Sequence, residues 1–87
     1  MNAIETKLQE FAIGMLGELK SKQAQVQTFL ISGALPTEMH NIIVDIEKIL
    51  YYLKPIINEI DALIPPTMPE LKLVLDWAVR IINAVPS

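Results

Sequence analysis

Met39, Ile42, Ile46, Ile49, Leu53, Ile56, Ile60 and Leu63 recur at alternating steps of three and four, the a/d seam of a heptad repeat with no polar residue in it. With Met39 at position a, Ile43, Leu50, Ile57 and Ile64 fall at e in successive heptads. Three positions in seven are then apolar, and a stripe that wide faces more than one partner helix. The pattern predicts an all-α protein whose central helix packs against at least two others.

Two clusters of helix breakers frame this segment: Ser32-Gly33-Ala34-Leu35-Pro36-Thr37 and Pro65-Pro66-Thr67-Met68-Pro69. Both read as short interhelical turns, so the chain divides into helices over about 3–31, 37–63 and 68–84, a three-helix up-down-up bundle in one domain spanning 1–87. Gly33 suits the position just past the first helix, where positive φ is needed. Thr37 is the expected cap of the second helix, with Glu38 in its first turn. Thr67 and Glu70 have the spacing of a capping box at the start of the third. Pro55 lies on the side away from the seam and should kink the second helix by removing one bond to the Tyr51 carbonyl. Because the heptad register continues through it, a bend is expected there and not two separate helices.

The first helix carries Ile4, Leu8, Phe11, Ala12, Met15, Leu16 and Leu19 on one face and resumes with Val26, Phe29, Leu30 and Ile31 after a polar stretch. Its opposite side has a row of small residues, Gly14, Gly17, Ser21, Ala24 and Thr28, read here as a solvated back face because Glu10 and Glu18 lie beside it. In the third helix Leu71, Val74, Leu75, Ala78, Ile81, Ile82 and Val85 form a core face, and Leu73, Trp77 and Ala84 a second apolar strip. Lys72, Asp76 and Arg80 are spaced for weak i,i+4 ion pairs. A helix so apolar is either central in a bundle or covered by another chain.

Helix lengths add a further expectation. The first two span about 40 Å and the third about 25 Å, so a third helix starting beside Ile4 covers the first only as far as Leu19. Val26, Phe29, Leu30 and Ile31 against Met39, Ile42, Ile43 and Ile46 would form an uncovered two-helix tip. These eight residues, with Leu73 and Trp77 of the third helix, are the expected interface, filled by a second copy or by a helix of a partner protein. Tyr51 and Tyr52 sit on the outer side of the second helix, where tyrosines either anchor an interface or flank the core.

Composition narrows the function classes. The 87 residues are 52% hydrophobic, above the 45–50% of average usage, so either the core is rich or apolar surface serves a partner. Disulfides are excluded by the lack of cysteine, and a core this small barely offsets the entropy of ordering the chain, which favours self-association. The net charge of −3 is concentrated between residues 35 and 64, and no basic stripe exists; nucleic acid is not an expected partner. The most apolar run, Leu71 to Val85, is broken by Lys72, Asp76, Arg80 and Asn83, so no simple membrane span is expected. The N-terminal residues lack the pattern of a secretory signal, and a cytoplasmic protein is the default expectation.

The sequence carries no recognisable catalytic or metal-binding arrangement. The single histidine, His40, lies on the polar side near the start of the second helix, with no nucleophile placed to form a triad. One histidine, no cysteine and dispersed carboxylates give no metal-ligand spacing, and none of the three glycines follows a strand as a phosphate loop requires. The expected function is therefore non-enzymatic, without metal or cofactor: a helical assembly or interaction protein, a scaffold, adaptor or regulatory subunit, its compactness pointing to a bacterial or viral source. It would act as a homo-oligomer or by taking a partner helix into a groove. The alternative is a lipid-binding or membrane-surface-active helical protein, disfavoured by the acidic balance.

Overall fold

The computed structural model describes residues 2–33 and 36–84. It contains α1 (Ala3–Ser32), α2 (Pro36–Leu53), a 3-10 turn (Lys54–Ile56), α3 (Ile57–Leu63) and α4 (Pro69–Ala84). The all-α, up-down-up plan expected from the sequence is the observed one. Ala34, Leu35 and Val85, assigned above to a turn and to the core face, lie outside the described residues.

Local chemistry sets the ends. Asn2 caps α1: its Oδ1 accepts the Glu5 N–H at 2.8 Å, and its Nδ2 donates to the Glu5 carboxylate at 3.1 Å, satisfying a donor that the first turn leaves orphaned. Gly33 closes the same helix at φ 73°, ψ 43°, donating its N–H to the Phe29 carbonyl at 2.9 Å, as its position predicted. Neither of the other two expected capping residues stands at the capping place. Thr37 is inside α2, which opens at Pro36, and α4 opens at Pro69, with Met68 in the capping place and its carbonyl accepting from Leu71. Proline explains both shifts, since its fixed φ and missing N–H suit the first helical position better than any other.

Pro55 acts more sharply than a bend. The chain tightens into the 3-10 turn, Ile56 leaves helical geometry at φ −119°, ψ 12°, and the α-helix restarts at Ile57. The kink is where the sequence puts it, but two α-helical stretches flank it. The seam still runs through: Leu53 and Ile60, on either side, are fully buried.

Ala12, Leu16 and Leu19 of α1, Ile42, Ile46, Ile49, Leu50 and Leu53 of α2, Ile60 of α3, and Leu71, Val74, Leu75 and Ala78 of α4 make one core with no buried polar side chain among the described residues. The Lys22–Asp45 ion pair at 3.1 Å and the Gln9 bond to the Leu63 carbonyl at 2.7 Å fix α1 antiparallel to α2 and α3. Lys72 reaches Asp61 of α3 at 3.4 Å and does not pair within its own helix with Asp76, because the neighbouring helix brings a carboxylate within reach.

These contacts also correct the register of α4. Gln9 lies level with the end of α3, so α4 begins beside the third turn of α1 and runs on until Trp77 and Val79 stand next to Gln23. Coverage therefore reaches past Leu19. Ile4, expected in the core, is 79% exposed because the first turns of α1 overhang the bundle. At the opposite end Leu30 and Ile31 are exposed as well. The radius of gyration is 13.9 Å, against about 12 Å for a compact chain of this length, and the overhanging α1 sets the 46 Å long axis.

Candidate functional site

Helix α1 packs against α2, α3 and α4, whereas α2 and α4 hardly approach each other. The gap between them is an open groove of about 530 Å3. Its floor is Val26 of α1 with Ile46 and Leu50 of α2; Ile43 and Tyr51 rise on one side, and Trp77, Ile81 and Ile82 on the other. The heptad pattern accounts for it. The a and d residues of α2 turn into α1 with Leu50, while Ile43, at e one heptad nearer the start of the helix, faces α4 across a gap that leaves it uncovered. Ile43 keeps 44% of its surface exposed and Tyr51 76%.

Two charged side chains line this groove, Glu47 and Lys54. They lie on the same strip of the helix, two turns apart, and neither joins an ion pair among the described residues. Tyr51 sits between them, its ring edge-on to that of Tyr52 at 5.9 Å. An aromatic body with a polar tip at the rim of an apolar trench is the arrangement found where one surface meets another.

Of the ten expected interface residues, Val26, Ile43, Ile46 and Trp77 come together in the groove. Phe29 and Met39 are half-buried and Ile42 is buried, Phe29 and Ile42 within the chain's own core. Leu30 and Ile31 project from the tip, away from the groove. Leu73 lies outside the groove, on a broader depression shared with Trp77, Gln23, Asp76 and Arg80. Sequence reasoning placed Ile81 and Ile82 on the core face, which they partly are, without seeing that they also line a groove, and it passed over Glu47 and Lys54. The signal was the e-position stripe, which marked a second face without saying which neighbour would leave it open.

His40 is exposed near the start of α2, and no cluster of three or more metal-ligating side chains occurs among the described residues. No described helix is long and apolar enough to cross a membrane. The groove presents apolar area, one aromatic ridge on each wall, and one charge of each sign. No protein-family model matches this chain, and no curated protein or solved structure matches it either.

Proposed function

We propose that this chain is a non-enzymatic helical assembly or interaction protein, a scaffold, adaptor or regulatory subunit working in the cytoplasm, which acts by receiving an apolar helix in the groove between α2 and α4. The observation that carries the reading is the groove itself. Tryptophan, tyrosine and isoleucine side chains line a trench that the chain's own helices leave open, and large aromatic anchors around an apolar centre are what a helix-in-groove contact uses.

Light scattering coupled to size exclusion tests this on the wild type and on Ile43→Glu. Ile43 is exposed enough to accept a carboxylate without unfolding, so the reading predicts a wild-type mass above 9.8 kDa and a monomeric variant with unchanged helical circular dichroism. A strictly monomeric wild type that also fails to float with phosphatidylglycerol liposomes defeats it. The second reading, lipid binding, is favoured by one feature: a groove of 530 Å3 falls in the size range of small-ligand sites. Flotation without self-association would select it.

A further inference from the structure

We infer that the occupant of the α2/α4 groove is a second copy of this chain, its α2 lying antiparallel to the first α2 about a two-fold axis at Leu50 and Tyr51. The inference rests on the groove being an interaction surface and adds the partner and its orientation. Charge complementarity is the first argument. Glu47 of α2 and Lys54, at the start of the 3-10 turn that continues it, line the same groove seven residues apart, or about 10.5 Å at helical rise. Turning one α2 end for end on another about the point midway between them sets each Glu47 against the Lys54 of the second copy. A parallel arrangement would oppose Glu47 to Glu47 and Lys54 to Lys54. One surface that satisfies both of its own charges only when antiparallel to itself is what a two-fold, isologous contact requires.

The second argument is what lies between the charges. Leu50 and Tyr51 are at the centre of the strip, so in this register the exposed Tyr51 ring of each copy lies over the groove floor at the other's Leu50, of which 8% is exposed. Trp77 and Ile81 flank the contact from α4. The four helices α2, α4 and their copies then enclose the apolar surface that one chain leaves bare at Ile43 and Tyr51. A lipid tail has no use for an acidic side chain at the groove wall, and nothing in a foreign helix would require charges spaced to complement their own mirror order.

The test is a charge swap in the 87-residue chain, read by sedimentation equilibrium. Glu47→Lys alone makes two like-charge contacts per dimer, as does Lys54→Glu alone, and each should weaken self-association about tenfold or more. Mixing the two single variants restores opposite charges at both contacts, so the mixture should form a heterodimer at close to the wild-type dissociation constant. Both side chains are exposed, so helicity should hold throughout. A monomeric wild type overturns the second-copy occupant. Dimerisation that Ile43→Glu abolishes but that ignores both charge reversals, or fails to recover on mixing, overturns the antiparallel register and leaves the groove as the interface. Dimerisation indifferent to all three substitutions overturns the groove as well.

Discussion

The Gln9 side chain donates from Nε2 to the main-chain carbonyl of Leu63 at 2.7 Å, joining residues 54 positions apart in the chain. Leu63 is the last residue of α3, where the following Ile64 is extended and the carbonyl has no helical partner. The bond thus satisfies an orphaned acceptor and sets the level at which α4 departs. Gln9→Ala should lower unfolding free energy by about 1 kcal/mol, a drop of roughly 4–8 °C in melting temperature for a domain this size. Gln9→Glu should cost more, since a carboxylate would face a carbonyl oxygen. Urea titration of both variants measures this, and equal stability of Gln9→Ala and wild type would remove the bond from the account.

The three glycines should respond in opposite directions. At Gly33 the φ of 73° is reached at little cost only without a Cβ, so Gly33→Ala should destabilise by about 1 kcal/mol. Gly14 and Gly17 are within α1, and an added Cβ would meet no atom within 4 Å at either. Alanine there should stabilise the helix by about 0.5–1 kcal/mol per site. Thermal melts of the three variants decide it; a loss of stability at Gly14 or Gly17 would show that the small-residue row packs against something.

Burial predicts a contrast between two apolar residues. Leu53 is fully buried beside the 3-10 turn, while Ile31 at the tip is 89% exposed. Leu53→Ala should cost about 2–5 kcal/mol, enough to unfold much of a small domain, whereas Ile31→Gln should stay within about 0.5 kcal/mol. A large loss from Ile31→Gln would place the tip in an interface that the groove does not include.

The parts of this fold legible in the sequence are those carried by periodicity. Ile42, Ile46, Ile49, Leu53 and Ile60 are seam residues by spacing and are buried in the structure, and Gly33 ends its helix as its lack of a Cβ allows. What spacing did not carry is the offset between helices. That offset is fixed by Gln9 meeting Leu63 and by the turn before Pro69, long-range contacts with no local periodic signature. A shift of a few residues moved Ile4 out of the core and brought Trp77 beside Val26. The candidate site inherits the same limit: the e stripe announced Ile43 and Leu50, but only the separation of α2 from α4 makes a groove of them.

Tyr51 and Leu73 offer the most direct check on the claim that this groove is where the chain meets its second copy. They are almost equally exposed, at 76% and 72%, one at the proposed two-fold axis and the other outside the groove, on the depression that α4 shares with Gln23 of α1. The chain has no cysteine of its own, so a single introduced thiol reports its own surroundings. The measurement is the rate of disulfide-linked dimer formation under mild oxidation for Tyr51→Cys and for Leu73→Cys. The account predicts rapid, near-complete cross-linking of Tyr51→Cys and only slow, collision-limited cross-linking of Leu73→Cys. Equal rates, or a faster Leu73→Cys, would contradict it.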